Sequence, residues 1–317
     1  MNRLGIIGTM VWDTIHGRGD SAEPVEEWGG IAYALAALEA SLPSDWEMVP
    51  LIKVGRDLAP QANEFLRSLT HRSTAARFIE VPEPNNRVTL RYTSDLRRAE
   101  HLSGGVPAWQ WHELEPLIKD LDALYVNFIS GFETSLEPIR QVRSVFEGPM
   151  YVDLHSLFLG VQQDGLRTPQ MLPDVGEWFS CFDAVQVNED ELKLIGEDPL
   201  EVAAGAIACG VQLFVVTLAE HGAVFFTTGD FDFRGARQHL RPAPGPIRTA
   251  KVKPLSVEVR DPTGCGDVFG GAMVGQLVRG ADIEVAVQEA NAAAARNVQY
   301  RGATDLQYHL RGEIVPT

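Results

Sequence analysis

Val257-Glu258-Val259-Arg260-Asp261-Pro262-Thr263-Gly264-Cys265-Gly266-Asp267-Val268-Phe269-Gly270-Gly271-Ala272 is the stretch whose reading decides the fold. Alternation of apolar and polar residues predicts a strand through Arg260, then a glycine-rich turn, then a helix over Gly266–Val278. Gly264 and Gly266 are expected to permit backbone conformations that aim successive N–H groups at one point. The helix adds its unpaired first-turn N–H groups and the positive end of its dipole. Together they predict an anion site that needs no lysine or arginine.

Asp267 conflicts with that site, because a carboxylate repels an anion. The conflict resolves if an alcohol sits between Asp267 and a terminal phosphate. Asp267 is then the candidate catalytic base, and the N–H groups of Gly264, Cys265 and Gly266 are candidates to hold the transferred phosphoryl group. The alternative, an Asp that only favours a helix start, does not account for the flanking glycines. No Gly-Lys dipeptide occurs, which excludes a Walker-type phosphate loop. Phe269 spoils the dinucleotide-binding glycine spacing, and too little chain follows for a ribose-binding acid.

Outward from this turn, strand-like and helix-like runs alternate, the pattern of an α/β fold with a mostly parallel central sheet. Leu4–Ile7, Met48–Val54, Ala123–Ile129, Met150–Leu154, Ala184–Val187 and Leu213–Leu218 read as buried strands. Gly30–Ala40, Leu58–Leu69, Glu189–Ile195, Leu200–Cys209 and Ile283–Tyr300 read as helices. Val11–Trp28 and Arg77–Val106 break the rhythm. Arg77–Val81 and Arg87–Tyr92 alternate like antiparallel strands, so both segments are expected to form one small β-sheet lid. Without a linker or a repeat, residues 1–317 are expected to be one domain, with lid insertions at about 11–28 and 77–106.

The chain is 45% hydrophobic and 22% charged, ordinary for a globular protein, and its net charge of −16 gives no field for nucleic acid. Arg87, Arg91, Arg97 and Arg98 cluster locally, as a solvated edge or as a contact for an anionic ligand. Three cysteines, Cys181, Cys209 and Cys265, make no disulfide framework. The apolar run at Leu4–Ile7 is too short for a signal peptide, and no stretch is long enough to span a membrane. A cytoplasmic protein with no membrane partner is expected.

The chain from Asp261 to Gly271 resembles the C-terminal signature of the pfkB (ribokinase-like) family of sugar and nucleoside kinases, close to D-T-x-G-A-G-D-x-F-x-x-G. The resemblance implies a three-layer α/β/α sandwich with a β lid, use of ATP and Mg²⁺, and transfer of the γ-phosphate to a hydroxyl of a small sugar. A nucleoside is the alternative acceptor, and a non-catalytic sugar- or nucleotide-sensing homologue is a further one. Asn188-Glu189-Asp190-Glu191 is similar to the family's N-x-x-E element, which implies a nucleotide contact from Asn188 and water-mediated Mg²⁺ binding by Glu191. Val216–Ala223 resembles its V-T-x-G-x-x-G-A nucleotide segment, with Thr217 and Gly222 the matching positions. Ala219 replaces the first glycine, so a different backbone path is expected there. Asn291 lies in an A-N-A-A-A-A helix, similar to the one beside the adenine. A dipole-favoured acidic helix start, a plain turn and close helix packing are the structural alternatives for these three segments. Asp261 and Thr263 fall where many members bind a monovalent cation, which implies K⁺, although Pro262 replaces a common threonine.

At the acceptor end, Asp13 and Gly29-Gly30 are similar to the family's N-terminal acid and its glycine pair. Val11, Ile31 and Ala34 stand where members commonly carry Asn, Lys and Asn, and those losses weaken recognition of a polyol. Trp12, Trp28 and Tyr33 lie nearby, as lid core or as a stacking surface. Asp153-Leu154-His155 follows a strand without the family's D-x-N form. Cys265 replaces the usual alanine, and a thiol at a helix N-terminus is expected to have a lowered pKa. The family also implies a homodimer through the lid.

Overall fold

The apolar runs read as strands do lie side by side. The computed structural model describes residues 1–16, 24–74, 78–92, 98–229, 231–238 and 246–314. Its main sheet has eight strands in the order Ile247–Val252, Ala223–Thr228, Leu213–Thr217, Ala184–Asn188, Met150–Asp153, Ala123–Asn127, Asn2–Ile7 and Trp46–Leu51. The six from Leu213–Thr217 to Trp46–Leu51 are mutually parallel, and the first two are antiparallel additions.

Successive residues of a strand face opposite layers. Tyr125 lies in the core that holds the apolar side chains of the helices Ile31–Ser41, Cys265–Arg279 and Ile283–Asn297, whereas Val126 lies in the core that holds those of Trp111–Ile118, Leu136–Val145 and Pro199–Ala208. Both faces are covered, which explains why these strands read as unbroken apolar runs. The result is the expected three-layer α/β/α sandwich.

A second sheet has four strands in the order Val25–Gly30, Met10–His16, Arg87–Tyr92 and Arg98–Ser103. Its central pair is parallel and its outer pairs antiparallel. Only the outer pairs come from a single insertion, where a short connection imposes antiparallel pairing. Ile79–Val81 does not join this sheet as expected: it pairs in parallel with Lys53–Gly55. The Ile79 N–H donates to the Ile52 carbonyl at 2.9 Å, so this strand takes free backbone groups just beyond the edge strand Trp46–Leu51. Arg77 and Arg97 lie outside the described residues.

The strand expected over Val257–Arg260 is absent. Pro254 removes a ladder donor, Val259 is 61% exposed, and the ties at the end of the segment are the N–H groups of Arg260 and Asp261, both on the Val298 carbonyl. Arg87 of the basic group pairs with exposed Asp57 at 2.9 Å. All three cysteines are free.

Candidate active site

The C-terminal edge of the parallel strands gathers polar side chains. Asn127 lies beside Asp153 in register, Gln186 on the other side of Asp153, and Asn188 beside Thr217. In open α/β sheets this edge is where ligands bind. Here it meets the turn at residues 263–267.

Gly264 is left-handed (φ 73°) and caps the helix Cys265–Arg279, which starts one residue before the expected position. The ring of Tyr33 lies against Gly264, and a Cβ there would fall 2.3 Å from it. Gly264 is therefore needed for both conformation and close approach. Gly266 differs from expectation: it sits inside the first helical turn without positive φ, and the nearest atom to its missing Cβ is Gln186 Nε2 at 4.0 Å. Its lack of a side chain leaves open space above the helix start, rather than enabling an unusual backbone.

Three carboxamides hold the turn in place. Asn297 Nδ2 donates to the Thr263 carbonyl at 2.9 Å and to Cys265 Sγ at 3.3 Å. Gln186 Nε2 donates to the Gly266 carbonyl at 3.1 Å and to Asp153 Oδ2 at 2.8 Å, while its Oε1 accepts from the Tyr151 hydroxyl. Asn127 Nδ2 donates to Asp267 Oδ1 at 2.8 Å. Asn127, Gln186 and Asn297 escape sequence reading because single amides carry no motif spacing. The signal present was an amide within or ending an otherwise apolar strand, as in Leu124–Asn127 and Val185–Asn188.

Acidic groups crowd this edge. Burial foremost, then repulsion from Glu191 and Asp267, raises the Asp153 carboxyl well above its usual range. His155 Nδ1 lies 2.5 Å from Glu191 Oε1. Burial opposes the imidazolium, but Glu191 and Asp153 together push it up to about 9. The ring remains 41% exposed, so solvent screens much of that attraction.

Glu191 itself is 4% exposed and closes a capping box: Asn188 Oδ1 accepts from the Asp190 and Glu191 N–H groups, and Glu191 Oε2 accepts from the Asn188 N–H at 2.8 Å. The Asn188 amide also donates to Glu191 Oε1. Among the described residues, no three His, Cys, Asp or Glu side chains are grouped to hold a metal directly. A carboxylate already this engaged fits Mg²⁺ held through water and phosphate oxygens, not a protein cage. Asp261 and Thr263 are both buried, with Asp261 Oδ1 accepting from the Thr263 N–H at 2.8 Å.

On the side expected for the nucleotide, Thr217, Ala223 and Val252 form a row across three strands. Gly222 and Asn291 converge on one atom, the Val252 carbonyl oxygen: Asn291 Nδ2 donates to it at 3.1 Å, and a Cβ on Gly222 would stand 2.1 Å from it. Ala219 is left-handed, with a φ of 46°, at a cost of roughly 1–2 kcal/mol for a residue that carries a Cβ.

On the side expected for the acceptor, Asp13 and Glu27 are cross-strand partners. Asp13 is 4% exposed and lies over Gly29, whose missing Cβ would meet Oδ2 at 1.9 Å. Gly30 packs against Ile129 in the same way. Glu27, missed in the sequence, lies over Gly302; its Oε1 is buried with no hydrogen-bond partner. Burial lifts its carboxyl to about 7, against a smaller pull from Arg301. Trp12 and Trp28 pack edge to face at 5.0 Å, with Trp28 in the core. Tyr33 is 1% exposed and ties the two sides together: burial first, then the charges of Glu27, Asp13 and Asp267, hold its phenol well above the usual range.

Residues 158–308 match the model of the pfkB family of carbohydrate kinases. No curated protein matches the chain at the sequence level. Ribokinase from Thermotoga maritima is similar in structure with a TM-score of 0.72 at 18% identity, over 98% of this chain and 99% of its own. A pyrophosphate-dependent kinase in the ribokinase family, solved with sulfate, has a TM-score of 0.72 at 17% identity, over 96% and 99%. The nucleoside kinase of Burkholderia thailandensis in complex with inosine has a TM-score of 0.71 at 19% identity, over 98% and 97%. Among the described residues no helix is long and apolar enough to cross a membrane. The chain has the ribokinase fold over nearly its whole length.

Proposed function

We propose that the protein is a phosphotransferase that moves the γ-phosphate of ATP to a hydroxyl, a CH₂OH by preference, of a small sugar. The observation that carries this reading is the Asp267 carboxylate, standing in the first turn of a helix capped by left-handed Gly264 and tied to the sheet edge by Asn127. Asp267 would accept the alcohol proton as the main-chain N–H groups of Gly264, Cys265 and Gly266 meet the developing phosphoryl charge. Mg²⁺ with ATP supplies charge neutralisation when bound, and Glu191 would hold it through water. Asn188, Thr217, Gly222 and Asn291 mark the nucleotide side; Asp261 and Thr263 are the candidate K⁺ ligands. Asp13, Gly29 and Gly30 mark the acceptor side, beneath a small sheet that would act as a lid and as a dimer face.

A nucleoside is the second reading of the acceptor, favoured by apolar Ile31 and Ala34, both fully buried where amide and ammonium donors would serve a polyol. Release of ADP from ATP, and of phosphate from pyrophosphate, measured over a panel of sugars and nucleosides tests both readings. Acceptor-dependent ADP release is expected from the wild type. Asp267→Asn keeps the shape and removes the proton acceptor, so kcat should fall roughly 10²–10⁴-fold with nucleotide affinity unchanged. A variant that turns over at the wild-type rate would remove the base from Asp267, and turnover with pyrophosphate alone would replace the donor.

A further inference from the structure

Asn127 ends the strand Ala123–Asn127 and is fully buried. Its Nδ2 has two acceptors, Asp267 Oδ1 at 2.8 Å and the Tyr125 hydroxyl oxygen at 3.1 Å. Its Oδ1 is buried and has no hydrogen-bond partner. A structural amide would be expected to place both ends in hydrogen bonds, since an orphaned buried acceptor is costly. Here the acceptor end is left open while the donor end faces a carboxylate. That orientation is decided by Asp267: turning the amide over would set two oxygens against each other.

The groups around Asp267 are mostly acidic or phenolic. Tyr33 faces it from the helix Ile31–Ser41, Tyr125 from the same strand as Asn127, and Asp153 from the neighbouring strand, with Glu191 and His155 one step behind Asp153. Burial and the nearby acids push both phenols and the Asp153 carboxyl upward, so negative charge dominates the surroundings of Asp267. A carboxylate in that field is kept charged by donors pointed at it. We propose that Asn127 is a positioning residue for Asp267, fixing the carboxylate at the sheet edge and holding it in the proton-accepting form. Its value to catalysis rests on the reading of Asp267 as the base, but the contact can be tested apart from that reading.

The test is a titration of the protein without ligands, labelled with ¹³C at the aspartate carboxyl carbons, with Asp267→Asn used to assign the Asp267 resonance. Asn127→Leu removes the donor and the orphaned oxygen together, so it should fold. Asn127→Ala removes both with less added volume and covers the case in which leucine does not. The Asp267 midpoint is expected to rise by roughly one pH unit or more in either variant, because one donor to the ionised form has gone. A midpoint unmoved in a folded variant would overturn the proposal. Retained turnover in Asp267→Asn would instead sink the base assignment while leaving the titration result standing.

Discussion

Asn127 and Asp267 are 140 residues apart in sequence and 2.8 Å apart in space, one at the end of a central strand and the other in the first turn of a helix from the opposite end of the chain. The contact joins the two halves of the molecule at the point where the turn Thr263–Asp267 meets the sheet edge. Gln186 and Asn297 add two more ties to the same turn. The turn is thus held by side-chain amides on its carbonyls and its carboxylate, and the Cys265 N–H at the helix start donates back to the Pro262 carbonyl at 3.3 Å.

The two glycines of the turn should respond in opposite ways. Gly264→Ala forces a side chain into a left-handed position and into the Tyr33 ring, and should cost at least about 2 kcal/mol. Gly266→Ala places a methyl in a helix with open space around it, and should stabilise by roughly 0.5–1 kcal/mol. That methyl projects over the candidate anion site, so activity should drop even as the melting temperature rises. Thermal melts and phosphoryl-transfer rates of both variants check this. A fully active Gly266→Ala would mean that no ligand approaches there.

Ala219 carries strain that a glycine would relieve. Ala219→Gly recovers roughly 1–2 kcal/mol of conformational strain and gives back roughly 0.5–1 kcal/mol in unfolded-state entropy. The melting temperature should hold or rise. A clear fall would show that the left-handed conformation is not strained in this protein.

Glu27 makes stability depend on pH. Its carboxyl is raised from 4.5 to about 7 on folding, so the folded protein holds that proton more tightly than the unfolded chain. The penalty is absent below about pH 4.5, grows as pH rises, and is complete above about pH 7. Glu27→Gln removes the charge. Denaturant melts should show no gain near pH 4.5 and a gain on the order of 1–3 kcal/mol at pH 8. An equal effect at both values would contradict a buried, unpaired carboxylate.

Cys265 is half-buried at the first helical position, and Cys209 is exposed. In a Cys209→Ser background, one equivalent of a thiol alkylator should add at Cys265 and abolish activity, and ATP should slow the reaction. Full activity after stoichiometric modification would separate Cys265 from the phosphate site.

Much of the fold was legible because six strands of the main sheet are buried on both faces. Their apolar runs survive in one dimension, and the helix boundaries at Glu189–Ile195 and Cys265–Arg279 follow from local capping and glycine signals. What misled was local pattern without a partner. Val257–Arg260 alternates but has no strand edge to join, and Ile79–Val81 alternates but finds its edge at Lys53–Gly55 rather than in the small sheet. Alternation states which faces a strand could offer, not which neighbour accepts it.

By itself the sequence determined that a glycine-rich helix start would carry a carboxylate, since backbone conformation and helix dipole are set within a few residues. Only the tertiary structure decided what holds that carboxylate and what surrounds it. Asn127, Gln186, Asn297 and Glu27 come from four distant segments. Their hydrogen bonds and their burial exist only once the sheet has aligned its strand ends, because both decay over a few ångströms and are invisible to separation along the chain.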